Sequence, residues 1–220
     1  MTISPQVRDV PKPRPVRSDF QLQLGQLLFK IAETEEEFRQ VHRLNYDTFV
    51  REIRQHADPG TGYLVDKFHD KNVYFIAVRE GRVVGMLSAH DRPPFSIAER
   101  LSDPSVLDRL DGRPLEVRLL AIEPAERHKL VFAGLIWTLY QYARHQGYSH
   151  FLISGLTERM RLYERFGFRA LGPPKRSGQA EYVPMVLDLR ELPADVWRDI
   201  ASWQQRLRRA RLGKRAEPVL

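Results

Sequence analysis

The chain reads as an α/β protein, a single mixed sheet with helices on both faces. Three observations predict this. Two β-rich runs, 73–79 and 82–90, are joined through Glu80-Gly81, a hairpin signal. From residue 116 onward strand and helix patterns alternate, as they do in βαβ units. Antiparallel strands followed by crossover units make a mixed sheet covered on both sides. With 220 residues, 42% of them hydrophobic, the chain can bury one sizeable core.

Residues 1–23 read as an extended leader, with prolines at 5, 11, 13 and 15. The domain is expected over 24–190. Residues 27–32 form a first strand. Thr34-Glu35-Glu36-Glu37 is a capping-box pattern, and the helix it opens should run to about Gln55, burying Phe38, Val41 and Leu44. Residues 58–70 form a loop, and the hairpin follows. The stretch 91–114 is polar and turn-rich, with short helical pieces near 96–101 and 106–110. A strand at 116–122 stops at Pro124. The helix 126–146 puts Val131, Leu135, Leu139 and Ala143 on one face and ends at Gly147. A strand at 151–154, a helix at 157–166 and a strand at 182–189 complete the domain. Val196, Ile200, Trp203 and Leu207 mark an amphipathic helix in a basic tail, 191–220.

The formal charge of +7 sits at the ends. Residues 1–19 hold four Arg/Lys against two Asp, and 206–220 hold six against Glu217, which leaves 20–205 neutral. This weakens the case for a broad basic face, and no nucleic-acid partner is expected. The tail could meet an acidic carrier protein, an anionic membrane surface or nucleic acid, or be a solvated helix end. No apolar run reaches the roughly 18 residues of a membrane span. The chain has no cysteine, which excludes disulfides, thiolate metal sites and a Cys nucleophile, and fits a cytoplasmic location. The seven histidines show no metal spacing, so no metal is expected.

Arg161-Leu162-Tyr163-Glu164-Arg165-Phe166-Gly167-Phe168 closes a helix at a glycine able to take the left-handed conformation, then opens a strand. Glu116-Val117-Arg118-Leu119-Leu120-Ala121-Ile122-Glu123-Pro124, with Arg127 three residues after the proline, is a strand that runs into a helix N-terminus. Together with the strand order, these segments resemble the GNAT-type N-acyltransferases, which move an acyl group from a pantetheine thioester to an amine. The resemblance implies that main-chain groups of Leu120, Ala121 and Ile122 hold the pantetheine arm. It implies that the turn and helix start, Arg127, His128, Lys129, Ala133 and Gly134, hold phosphate through N–H groups and the helix dipole. The glycines usual in that turn are replaced by His128, Leu130 and Phe132. Arg127 and Lys129 then carry the phosphates, or the donor is not coenzyme A. Locally, an ordinary strand–turn–helix without ligand reads the same.

The resemblance makes Glu116 the general base, with a raised pKa, and leaves Glu123 in reserve. Period-two alternation puts Glu116, Arg118, Leu120 and Ile122 on one face. Tyr163 would contact the sulfur or protonate the departing thiolate. Residues 43–52, 64–70 and 81–85 further resemble the autoinducer-synthase and N-acyl amino acid synthase branch, which draws acyl chains from acyl carrier protein. Asn45, His69 and Ser88 replace the polar residues of homoserine-lactone synthases, so another amine is implied. Phe49, His90, Arg118 and Ser154 are the substrate-side candidates, with Phe75, Met86 and Phe132 as further tunnel walls. The resemblance implies an acyl-CoA or acyl carrier protein thioester as co-substrate, no tightly bound cofactor, a small-molecule amine as partner, and a monomer or homodimer. The alternative is a degenerate fold used as a non-catalytic binding or regulatory module.

Overall fold

A computed structural model describes residues 20–127, 130–178 and 180–213. The chain begins with β1 (Leu22–Leu24) and β2 (Leu27–Ile31), then α1 (Glu35–Asn45) and a π-helical segment (Tyr46–Glu52). The hairpin is β3 (Val73–Arg79) and β4 (Arg82–His90). Short 3-10 turns at Ser96–Arg100 and Pro104–Val106 precede β5 (Pro114–Ile122). After a 3-10 turn at Pro124–Glu126 come α2 (Val131–Gln146), β6 (His150–Leu156), α3 (Met160–Arg165), β7 (Arg169–Ala170), β8 (Lys175–Ser177), β9 (Ala180–Asp188) and α4 (Ala194–Gly213). The sheet order is β1-β2-β3-β4-β5-β6-β9-β7, with β8 on β9. β5 and β6 are parallel and their neighbours antiparallel, the mixed sheet that was expected.

Local chemistry explains most of these elements. Thr34 and Glu37 form the reciprocal capping box at the start of α1. Glu80 and Gly81 both take positive φ, 51° and 76°, as a two-residue hairpin turn with the strands' own twist requires. Val131, Leu135, Leu139 and Ala143 are all buried on the face of α2 that packs on the sheet. The predicted long first helix instead changes at Tyr46 into a π-helical turn, with Ile53 N–H donating to Thr48 O. α2 starts at Val131 rather than 126, because Pro124 is spent on its own turn. β1 already lies inside the span read as leader, paired on β2. Val196 and Ile200 of α4 pack against the main core. Trp203, Leu207 and the basic tail beyond 213 lie outside the described side chains.

The two faces of the sheet are packed differently. On one, α2 and α4 cover a continuous apolar cluster from Leu22 and Phe29 through Phe75, Leu87 and Leu115 to Leu187. On the other there are two separate clusters. α1 and the π-helical turn bury Val41, Leu44 and Phe49 against Tyr74, Ile76 and Met86. Phe95 and Ile97 cover Leu152 and Val186. The strip between the two clusters runs over β5 and β6.

Candidate active site

β5 and β6 pair only over 114–116 and 150–152. Beyond Glu116 and Leu152 the strands continue to Ile122 and Leu156 without pairing to each other. The cause is written in β5. Met86 faces Ala121 and Ser88 faces Arg118, so Leu119 and Leu120 together oppose Leu87. This is a β-bulge, which bends the strand and strengthens its twist. Leu119 takes φ 51° there, a conformation that costs a non-glycine residue about 1–2 kcal/mol. Leu120 is left 42% exposed at the parting. The bulge also slips the alternation by one. Glu116 and Arg118 share the α1 side, whereas Ile122 joins Leu115 and Val117 in the α2-side core. The expectation of one face for residues 116, 118, 120 and 122 is therefore corrected.

On the α2 side the gap is flanked by Tyr163. α3 ends as a Schellman motif, with Gly167 N–H donating to Glu164 O (2.9 Å) and Phe168 N–H to Tyr163 O (3.0 Å), and Gly167 at φ 91°. That turn holds Tyr163 with its ring against Gly155 of β6, where a Cβ would come within 2.7 Å of the ring. Burial raises the Tyr163 pKa, which keeps its hydroxyl a donor at neutral pH. The start of α2 also belongs to this side. The Leu130 side chain makes no cap hydrogen bond to the first turn of α2. Arg127 does not reach outward for phosphate. Its Nε donates to Ile122 O and its two Nη groups to the Glu52 carboxylate. Gly134 is packed closely, since a Cβ there would lie 2.2 Å from the Phe29 ring, and its N–H donates to Leu130 O (2.9 Å). Ala133 lies in the first turn of α2, and His128 and Lys129 fall outside the described residues.

On the α1 side the strip between the two apolar clusters is polar. Glu116, 1% exposed, accepts from Ser96 N–H (2.8 Å), Ser96 Oγ–H (2.7 Å) and Ile97 N–H (2.7 Å), and pairs with His90 Nε2 at 3.0 Å. Burial pushes its carboxyl up, but these donors and Arg118 pull further the other way, so its pKa lies below the ordinary value. The raised pKa expected of a base is thus reversed. His90 is buried, stacked on Phe95. Arg118 donates to Asp66 (3.0 Å) and lies over the Phe68 ring. Ser154, two residues past the last paired residue of β6, accepts from Arg100 Nε (3.1 Å). Arg100 in turn lies over the ring of Tyr182, 4.5 Å from its centroid. Sequence reasoning gave no hint of Arg100, Tyr182 or Gly155, because each acquires its place only through tertiary contacts.

The proposed tunnel walls do not meet. Phe49 and Met86 sit in the α1-side cluster, Phe75 and Phe132 on the α2 side. A cleft of about 1000 Å³ opens instead on the β4 side of β5, lined by charged residues such as Arg39, Asp47, Arg82 and Glu123. Its lining reaches Glu123, Pro124 and Ala125, just past the end of β5, but includes no residue of β6. Asp111, His150 and Asp188 bring three ligand atoms within 4.8 Å of one another, but Arg190 bonds both carboxylates and makes an ion-pair knot of them.

Solved structures of the same fold are numerous. A CoA-dependent acyl-homoserine lactone synthase, BjaI, solved with SAM and isopentyl-CoA, superposes with a TM-score of 0.62 at 19% identity, covering 76% of this chain and 82% of its own. FeeM, an N-acyl amino acid synthase from uncultured soil microbes, gives 0.59 at 16%, covering 75% and 92%. An acyl-CoA N-acyltransferase from Pseudomonas aeruginosa gives 0.53 at 17%, covering 73% and 97%. No curated protein sequence matches significantly. The family model described as N-acyl amino acid synthase FeeM matches residues 40–188, most of the domain. The strand parting, the Tyr163 turn and this match agree, and the chain belongs to the FeeM family of N-acyl amino acid synthases, enzymes that transfer an acyl group to an amine.

Proposed function

We propose that the gap between β5 and β6 is the reaction channel, and that its two sides receive different substrates. The observation that carries this reading is the parting itself: pairing stops at Glu116 and Leu152 while both strands continue. A pantetheine arm laid along residues 118–122 would complete the sheet with its amides, as an added strand does. Its donor end would lie toward the start of α2, whose dipole and first-turn N–H groups favour phosphate. The cradle has no glycine turn, and Arg127 is already engaged by Glu52 and Ile122. These features favour a carrier-protein thioester, whose single phosphate stays outside, over coenzyme A. The setting is the cytoplasm, where such thioesters are made. Among the described residues no helix is long and apolar enough to cross a membrane.

The amine attacks the thioester carbonyl directly. A main-chain N–H near Leu120 faces the developing oxyanion, a contact that contributes about 3 kcal/mol. The C–N bond forms, the C–S bond breaks, the thiolate takes the Tyr163 proton, and the proton shed by the attacking nitrogen restores the phenol through solvent. Glu116 does not serve as base in this reading. Its carboxylate fastens Ser96 and Ile97 to β5, and so positions the segment that carries Arg100. The acceptor loses its proton to solvent, so kcat/KM should climb with pH toward the amine's own pKa.

The test is thiol release from a panel of acyl-CoA and acyl carrier protein thioesters, each with a set of amines. A thiol reagent reads this cleanly, because the chain has no cysteine of its own. Amine-dependent thiol release, faster from carrier protein, is the expected result. Thioesters that neither bind nor turn over with any amine would leave the protein a binding module.

A further inference from the structure

Arg100 differs from several arginines elsewhere in the fold. Arg79, Arg82, Arg118 and Arg190 each face a carboxylate. Arg100 has no carboxylate partner among the described residues. Its Nε is held by Ser154 Oγ at 3.1 Å, and its plane is held by the Tyr182 ring at 4.5 Å. Its Nη groups are left without a hydrogen-bond partner among the described residues. The guanidinium is therefore fixed in position and orientation while its bidentate edge stays free, the state in which it binds a carboxylate most strongly.

The segment beneath it is fixed as well. Phe95 and Ile97 are buried against Leu152 and Val186, and Glu116 ties Ser96 and Ile97 to β5. Ser154 stands two residues past the end of β5/β6 pairing, about 7 Å along the strand, so Arg100 flanks the open part of the gap. It does so from the α1 side, across the sheet from Tyr163 and the start of α2.

The geometry points to Arg100 as the receptor for the acceptor's carboxylate, and so as the residue that makes the site prefer an amino acid to a simple amine. The carboxylate of an α-amino acid docked on the Nη groups sits a short distance from its own nitrogen, and that nitrogen is then presented to the gap. Tyr182 and Ser154 act on the guanidinium and not on the substrate. This assignment rests on the acyl-transfer reading given above.

The experiment compares an α-amino acid with its amide and with the corresponding decarboxylated amine, in wild type, Arg100→Lys and Arg100→Gln. Wild type should prefer the acid in kcat/KM by about tenfold to a hundredfold, the worth of a charge-assisted pair. Arg100→Gln should lose that preference through the acceptor KM, keep the donor KM, and still be stabilised thermally by donor thioester. Arg100→Lys should retain part of the preference. A second readout needs no turnover: the N-acyl amino acid should stabilise wild type and not Arg100→Gln, while the N-acyl amide should stabilise neither strongly. Arg100→Gln that still prefers the acid, or a wild type indifferent to the carboxylate, overturns the assignment while leaving acyl transfer standing. Donor thioesters that neither bind nor turn over, beside an N-acyl amino acid that binds through Arg100, would sink acyl transfer and keep the carboxylate site.

Discussion

The two faces of the sheet are made by the same strands, yet one is a continuous core and the other is split. On the α2 side apolar residues run from β1 to β9, and the face has only to be packed. On the α1 side two apolar clusters stand apart, with Glu116, His90, Arg118, Ser154 and Arg100 between them. The difference teaches where to look for chemistry. A buried polar strip costs stability unless each group is satisfied, so its presence over the parting strands marks the place where packing gives way to another demand.

The sharpest way to break this comparison is to remove the anchor of the polar strip. Glu116→Ala should cost about 3–5 kcal/mol in urea unfolding, because two main-chain N–H groups and His90 lose their buried partner. Glu116→Gln should cost less. The folded Glu116 pKa lies below its unfolded value, so its contribution is full above about pH 4.5 and fades as pH falls through the lower folded value. The gap between wild type and Glu116→Gln should narrow accordingly at low pH. The shape of the pH–rate profile should not change in Glu116→Gln; a lost ionisation there would restore Glu116 as base.

A second prediction concerns the same face farther from the gap. His42 is buried beside His69, with desolvation the larger and His69 the smaller cause of a pKa lowered to about 4. The unfolded chain takes up this proton near pH 6.5 and the folded one does not until about 4. Stability is therefore fully present above pH 6.5 and falls between 6.5 and 4, by roughly 3 kcal/mol. His42→Gln should start lower at pH 7 and lose less on acidification, as chemical denaturation across this range would show.

On the α2 side two glycines separate site from core. Gly155→Val would drive a branched side chain into the Tyr163 ring and should lower kcat/KM about a hundredfold by misplacing it. Gly134→Ala should act on stability alone, by about 1–3 kcal/mol through overpacking against Phe29, with the donor KM unchanged in steady-state assays. A raised donor KM in Gly134→Ala would assign that glycine to the phosphate cradle.

Much of this architecture is legible in the sequence, and the reasons are local. The capping box at Thr34, the Glu80-Gly81 turn, the apolar stripe of α2 and the left-handed Gly167 all follow from residues within a few positions of each other. What the sequence hides is set at a distance. No glycine marks the bulge, since a leucine occupies the left-handed position at 119, and the slip moved Ile122 to the other face. The π-helical turn after Asn45 has no marker either. Glu116 reads as a free carboxylate until Ser96 and Ile97, twenty residues away, close on it. Arg100 lies in a turn-rich stretch and becomes a site only when β6 and β9 supply Ser154 and Tyr182.

The central claim is that the open edges of β5 and β6 grip a sulfur-linked arm. Amide hydrogen exchange resolved by residue tests it most directly, with and without a non-hydrolysable acyl-pantetheine thioether. In the free protein, the amides of 117–122 and 153–156 that point into the gap should exchange much faster than those of 114–116. The thioether should protect them selectively. Equal protection of both stretches before the compound is added, or no change on adding it, would contradict the account.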